Sequence, residues 1–205
     1  MGLFNRRAAI GATLAIAALA LAACGGGKAA TPVEGDMSLG DANAKVKMIE
    51  YGSLSCIHCA NWNKDVFPAF KAKYIDTGKI HYTFRPFKLG ANDSYTAAGD
   101  MLGRCVGKDK YFAVIDALFH AQEEALTTSP LPVLVRVGGE AGLSEVEVKK
   151  CITDEKALVA LDNRLKSGLA KEVQATPTFY IGSQKFESEL PLAEIDKAYE
   201  AEAAK

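Results

Sequence analysis

The 205-residue sequence has few cysteines, no excess of charge of either sign and no apolar run of the roughly 20 residues that a membrane-spanning helix needs. Its five cysteines are too few for a small scaffold held together by disulfides. With 24 basic and 25 acidic side chains the formal charge is −1, so a basic surface for nucleic acid is not expected. Apolar residues make up 49% and charged residues 24%, which excludes collagen-like, wholly disordered and multi-span membrane proteins. The length suits one domain with an insertion.

The N-terminal segment is typical of an export signal. Arg6 and Arg7 precede the charge-free stretch 8–23, which is shorter than the roughly 20 residues of a membrane-spanning helix. Small residues lead up to Cys24, so the segment 1–24 resembles a bacterial lipoprotein signal in which Cys24 is acylated. An ordinary signal peptide cut nearby is the alternative, and both the general and the twin-arginine export routes stay open. In either case we predict that the chain leaves the cytoplasm.

The next segment, 25–37, has the composition of a tether. It begins with three glycines and continues with small and polar residues that show no apolar periodicity. We therefore predict a flexible link that precedes a folded domain over residues 38–205.

The first part of that domain reads as strand, helix, strand. Apolar and β-branched residues predict a strand over 45–51, and alternation predicts another over 79–87. Between them, apolar residues recur every four positions and predict a helix over 56–76, kinked at Pro68 and ended at Gly78. This order favours two parallel strands joined by the helix.

The stretch from about 91 to 167 contains helical patterns alone. Helices are predicted over 94–106, 110–125, 131–138, 144–153 and 155–167. Short strands over 178–181 and 184–187 follow, and a last helix begins at Leu192. The pattern predicts an α/β fold with an inserted all-helical subdomain.

The motif Cys56-Ile57-His58-Cys59 carries the chemistry. Its spacing places both sulfurs one turn apart at the start of a helix, close enough to form a bond. The free N–H groups and the positive dipole of that helix end stabilise a thiolate on Cys56. His58 can add positive charge or a hydrogen bond beside the same sulfur. A stabilised thiolate makes Cys56 a good leaving group and the disulfide an oxidant.

Three other uses of this motif are weighed against the redox one. A zinc site requires a second close pair of cysteines or histidines, and the remaining ones lack that spacing. A purely structural bridge across so short a loop adds little stability. A metal-handling lipoprotein could bind a soft metal through Cys56, His58 and Cys59, which makes it the rival from another class.

Two motifs together resemble the DsbA family of thioredoxin-fold thiol–disulfide oxidoreductases. They are the Cys-x-x-Cys motif after a strand and the later run 175–181, which reads Ala-Thr-Pro-Thr-Phe-Tyr-Ile. The resemblance implies a thioredoxin fold with a helical insertion and a redox-active disulfide Cys56–Cys59 without another cofactor. It implies reduced exported proteins as substrates, reoxidation by a quinone-linked membrane protein, and a periplasmic location. The family usually has proline where this chain has Ile57, a position that tunes the redox potential.

The resemblance also assigns roles to residues outside the motif. It implies a cis peptide bond at Pro177, lying against the Cys56–Cys59 pair, and main-chain pairing of Thr176 with a substrate peptide. Glu50 follows two apolar residues on one face of the first strand, which predicts an inward carboxylate. In the family such an acid relays protons to the second cysteine, with a pKa raised by burial. A solvated glutamate at the strand end is the alternative.

The last two cysteines form an even pair. If Cys24 is lipidated and Cys56 reacts with Cys59, then Cys105 and Cys151 remain, both in the helical block and in an oxidising compartment. We predict a structural disulfide, worth about 4 kcal/mol in the chain-entropy model. Two buried free thiols are the alternative.

The direction of electron flow is predicted from the motif and from the tether. Thr176 before the proline also occurs in isomerases and reductases, which commonly carry an N-terminal dimerisation region. The segment 25–37 is too short for such a region, and His58 favours the thiolate. We therefore predict an oxidase with a potential above the roughly −270 mV of thioredoxin, with isomerase or reductase as the alternative.

Overall fold

The computed structural model describes residues 31–32, 34–90, 93–166 and 172–205. The predicted signal segment, the predicted lipidation site Cys24 and about half of the predicted tether lie outside these residues. Within the described ranges, no helix combines the length and apolar character needed to cross a bilayer.

The strands form one mixed sheet in the order β1-β3-β2-β4-β5. They are β1 (Met37–Leu39), β2 (Val46–Gly52), β3 (Ile80–Pro86), β4 (Thr178–Ile181) and β5 (Gln184–Glu187). The central strands β2 and β3 are parallel, and the other neighbouring pairs are antiparallel. The predicted strand–helix–strand unit with parallel strands is therefore confirmed.

Helices follow the strands β2, β3 and β5. The first group is α1 (Ile57–Asp65) and α2 (Phe67–Phe70), followed by the π-helical turn Lys71–Ile75. The insertion between β3 and β4 comprises α3 (Ser94–Val106), α4 (Lys108–His120), α5 (Gln122–Thr127), α6 (Pro130–Glu140), α7 (Glu145–Ile152) and α8 (Glu155–Leu165). The chain ends with α9 (Leu192–Ala203). This arrangement confirms the predicted α/β thioredoxin fold with an all-helical insertion.

The predicted helix over 56–76, kinked at Pro68, is divided into separate helices in the structure. α1 ends at Asp65, and α2 begins at Phe67 with Pro68 in its first turn. Proline lacks the N–H that would bond to the carbonyl four residues earlier, and its ring clashes with that carbonyl. The chain therefore restarts as a new helix instead of bending within one.

The predicted helix over 110–125 is likewise two helices. α4 begins two residues earlier, and it ends at His120, because Ala121 leaves the helical region with φ −93° and ψ 8°. The new helix α5 starts with Gln122, whose side chain is buried.

The predicted tether ends too late. Met37 is the first residue of β1, and the Asp36 carboxylate pairs with the Arg85 guanidinium at 2.7 Å. The carbonyl of Gly35 accepts a hydrogen bond from Arg104 on α3. Ordered contacts thus begin before residue 38, because an ion pair and the antiparallel pairing of β1 with β3 outweigh the polar composition of this segment.

The core beneath the first helix is aromatic. Trp62 on α1 is 1% exposed, and its ring centroid lies 4.7 Å from that of Phe179 on β4. Its indole N–H donates to the carbonyl of Leu190 at 2.8 Å. This buried contact holds the start of α1 at the C-terminal end of β2, where the reactive motif lies.

Candidate active site

Cys56 is the residue that caps the N-terminus of α1. Its extended backbone (φ −93°, ψ 119°) precedes the first helical residue, and its Sγ accepts the N–H of Cys59 at 3.4 Å. Cys56 and Cys59 carry free thiols, so the structure shows the dithiol form. The predicted approach of the two sulfurs at a helix start is therefore what the local fold produces.

The two thiols have opposite acidities. The pKa of Cys56 is lowered to about 5, chiefly by a hydrogen bond from the Cys59 side chain and further by backbone N–H groups at the helix start. The pKa of Cys59 is raised, because its sulfur is fully buried and lies near both Cys56 and Glu50. At neutral pH the pair therefore holds one thiolate, on the outer sulfur, and one thiol.

This asymmetry predicts a titration of the reduced protein. Thiolate absorbance in the ultraviolet should rise by one equivalent with a midpoint near pH 5, because Cys56 loses its proton there while Cys59 keeps its own. A Cys56→Ala variant should lack this step. A single midpoint near the ordinary thiol value of about 8.5 would contradict the asymmetry.

Glu50 on β2 is buried directly behind the cysteine pair. Its side chain points inward, with 1% exposed, and its Oε2 accepts the hydroxyl hydrogen of Tyr82 at 2.5 Å. Its Oε1 has no hydrogen-bond partner among the described residues. Burial raises the pKa of Glu50 to about 8, against the lowering effect of the Tyr82 hydrogen bond. Such an acid exchanges its proton close to neutral pH.

Gly52 makes room for this carboxyl group. A Cβ atom at Gly52 would lie 2.8 Å from Glu50 Oε1 and 2.7 Å from the Phe84 ring. At the next residue, the N–H of Ser53 donates to Cys59 Sγ at 3.5 Å. The end of β2 therefore brings Glu50 and the buried thiol to one region.

Thr176 and Pro177 lie across from Cys56. The peptide bond between them is cis, and Cys56 Sγ lies 3.2 Å from the Thr176 carbonyl oxygen, to which it donates a hydrogen bond when it is protonated. The two residues implied as the substrate-binding segment are thus adjacent to the reactive sulfur.

His58 does not hydrogen-bond to the sulfur through its ring. Its Nδ1 lies 2.8 Å from Oε1 of Glu189, and 64% of its side chain is exposed. The hydrogen bond to Glu189 raises the pKa of His58, and the charge of Cys56 raises it further. The imidazole is thus coupled to the thiolate by charge, while its hydrogen bond is made to a residue that the sequence did not indicate.

The helical insertion contributes two further residues that the sequence analysis missed. The amide of Gln122 donates to the carbonyls of Leu54 (2.7 Å) and Cys56 (2.9 Å). The carboxylate of Asp93 accepts hydrogen bonds from the hydroxyls of Ser53 and Ser55. The position of Asp93 directly before a helical pattern could have identified it as an N-cap residue. No feature of the sequence marks Gln122 as part of the site.

Two further cysteines lie within the helical insertion. Cys105 on α3 and Cys151 on α7 are joined in a disulfide with a Cα–Cα separation of 5.9 Å. Within the described part of the chain, no three His, Cys, Asp or Glu side chains lie together as a group that could bind a metal ion.

The sequence of this chain is similar to those of several known proteins. A family model described as Thioredoxin matches residues 32–201. A Rickettsia bellii protein named as a protein-disulfide oxidoreductase is 32% identical over 175 residues, which cover 82% of this chain and 66% of the relative. The Bacillus cereus disulfide bond formation protein D is 32% identical over 155 residues, or 70% of this chain and 68% of the relative.

A solved structure agrees with these sequence matches. The crystal structure of Wolbachia pipientis alpha-DsbA1 superposes with a TM-score of 0.74 at 31% identity, covering 84% of this chain and 95% of that one. The chain spans slightly less than two thirds of the length of the Rickettsia relatives.

Proposed function

Because the chain belongs to the DsbA family of thioredoxin-fold proteins, we propose that it is a thiol–disulfide oxidoreductase that introduces disulfides into exported proteins. The observation that carries this proposal is the opposite acidity of the two thiols, with the Cys56 pKa at about 5 beside a buried, protonated Cys59. A stabilised Cys56 thiolate favours the reduced protein, and so makes its disulfide an oxidant.

The proposed reaction begins with the oxidised protein. A substrate thiolate attacks Cys56 Sγ, the Cys56–Cys59 bond breaks, and Cys59 leaves with the electron pair and takes up a proton. A second thiolate of the substrate then attacks the substrate sulfur of the mixed disulfide. This forms the substrate disulfide and releases Cys56 as its stabilised thiolate. Two electrons thus pass from the substrate to the protein.

Glu50 is the proposed source of the proton for Cys59. Its pKa of about 8 keeps it protonated at neutral pH, and its buried carboxyl group acts electrostatically on Cys59. A buried leaving thiolate is costly without a proton donor, and a carboxyl group with a pKa near the working pH is an efficient one.

The surface beside Cys56 suits an unfolded polypeptide. Ile57 is 57% exposed although it is apolar, and it directly follows the reactive sulfur. On the other side, the main chain of Thr176 offers a segment to which an extended peptide could pair in β fashion. Neither feature selects a particular side chain, in keeping with diverse reduced proteins as substrates.

The proposed setting is the periplasm, with Cys24 lipidated and the chain anchored to a membrane. The export-type segment 1–24 supports it, as does the Cys105–Cys151 disulfide, since such bonds persist in oxidising compartments. After each cycle the dithiol must return its two electrons, and a quinone-linked membrane protein is the proposed acceptor.

The deciding experiment is the redox potential of Cys56–Cys59 against glutathione, together with oxidation of a reduced, unfolded substrate. We expect a potential above the roughly −270 mV of thioredoxin and stoichiometric disulfide formation. A potential at or below that value, with no substrate oxidation, would refute the proposed oxidase. Recovery of a substrate with scrambled disulfides distinguishes an isomerase, and tight stoichiometric metal without redox activity would indicate the metal-handling alternative.

A further inference from the structure

We propose that Glu189 is a positioning residue that orients the His58 imidazole and makes the Cys56–Cys59 pair more oxidising. The inference rests on the proposed oxidoreductase function and adds a residue to its machinery. Glu189 follows β5 and lies 131 positions beyond His58, so no local pattern connects them.

The backbone on both sides of Glu189 is anchored. The N–H of Ser188 donates to the carbonyl of Pro177 at 3.0 Å. The carbonyl of Leu190 accepts the indole N–H of the buried Trp62 at 2.8 Å. The segment 188–190 is therefore bound on one side to the loop that faces Cys56 and on the other to α1.

Ser188 adopts a backbone conformation that residues other than glycine rarely take. Its φ is +88°, in the left-handed half of conformational space. A non-glycine residue stays there only where the surroundings hold it. The anchored turn at Ser188 directs the next side chain, that of Glu189, toward α1.

The Glu189 carboxylate contacts two side chains of α1. Its Oε1 lies 2.8 Å from His58 Nδ1 and 3.4 Å from the amide nitrogen of Asn61. His58 and Asn61 are three residues apart and so share one face of the helix. An isolated exposed ion pair contributes little because ordering two side chains is costly, but here the backbone that carries the carboxylate is already held in place.

The charged groups that act on His58 give the direction of the effect. They are Glu189, from the segment after β5, and Cys56, at the start of its own helix, and both raise the pKa of His58. A charged imidazole favours the Cys56 thiolate and therefore the reduced protein, which makes the disulfide a stronger oxidant. Without the carboxylate, His58 loses its proton at lower pH and the thiolate loses this support.

The test compares Glu189→Gln with Glu187→Gln. Glu187→Gln is the matched control, because this substitution removes the same charge two residues away. The Glu187 carboxylate pairs with Lys185. For Glu189→Gln we expect an equilibrium constant against glutathione that is about three- to tenfold less oxidising at neutral pH, equivalent to about 15–30 mV. The difference should shrink as the pH is lowered and His58 becomes protonated in both proteins, and NMR titration should show a lower His58 pKa in Glu189→Gln than in the wild type.

A double-variant cycle separates positioning from a structural effect. In a His58→Gln background, Glu189→Gln should leave the equilibrium constant unchanged. If Glu189→Gln were instead more oxidising than the wild type, the carboxylate would act by repelling the Cys56 thiolate directly, and the proposal would be overturned. An equal change in Glu187→Gln, or an effect that persists without His58, would overturn it too. If the wild-type protein oxidises no substrate, the proposed function fails, while the His58 pKa comparison still tests the positioning role.

Discussion

Replacing Cys56 with serine should reduce the rate of substrate-thiol oxidation by about three orders of magnitude or more, to that of buffer alone. The serine hydroxyl can neither form the disulfide with Cys59 nor accept the substrate sulfur. The oxidation of a reduced substrate, followed by the loss of free thiols, measures this directly. At pH 4, where the Cys56 thiol is protonated, the denaturation midpoint of the reduced variant should stay close to that of the wild type, because a serine side chain is only slightly smaller than a protonated cysteine.

A Cys59→Ser variant should behave differently from Cys56→Ser. It retains the outer sulfur with its helix N–H groups, but it lacks the buried thiol that would displace a bound substrate. A disulfide-containing substrate should therefore be captured as a covalent mixed disulfide with Cys56, detectable by mass spectrometry without reductant. Equal capture by both variants, or capture through Cys59 alone, would contradict the assignment of Cys56 as the attacking sulfur and Cys59 as the resolving one.

The second large effect concerns the stability of the reduced protein with Glu50→Gln. The pKa of Glu50 is about 8 in the folded protein, against an ordinary value of 4.5. Between these values Glu50 is protonated in the folded chain and ionised in the unfolded one, so its contribution to the free energy of unfolding falls as the pH rises. The lowered pKa of Cys56 acts in the opposite direction, and does so equally in the wild type and the variant. The slope reaches about 1.4 kcal/mol per pH unit and the total loss is on the order of 4–5 kcal/mol. The variant should lack this loss and be the more stable protein at pH 8.

Denaturant unfolding of the reduced proteins at pH 5, 7 and 8 measures this difference. Glutamine keeps an oxygen that can accept the Tyr82 hydroxyl and occupies the same volume, so a cavity does not confuse the comparison. Glu187→Gln serves as the exposed control and should keep the pH slope of the wild type. If Glu50→Gln shows the wild-type slope, the buried carboxyl group does not have a raised pKa.

The same variant tests the proton relay. Its rate of substrate oxidation should fall by about a hundredfold, the usual contribution of one general acid or base. The wild-type inflection near pH 8 should disappear at the same time. A stable variant with an unchanged rate profile would mean that Cys59 takes its proton from another source.

Much of this architecture was readable from local patterns. Alternation along 79–87 indicated β3, the helical pattern along 94–106 indicated α3, and both were found. The two-residue spacing within Cys56–Cys59 implied adjacent sulfurs, because helix geometry alone brings them together. Each of these features depends on residues close in the chain, where periodicity and covalent spacing already constrain the geometry.

The contacts that tune the site depended on tertiary structure. Glu189 meets His58 only because the segment after β5 is anchored to Trp62, and Gln122 reaches the carbonyls of Leu54 and Cys56 only because the insertion folds over α1. No periodicity indicates which of many surface acids or amides makes such a contact. These pairs are more than 65 residues apart, and their meeting depends on the packing of whole elements, which a local pattern does not specify.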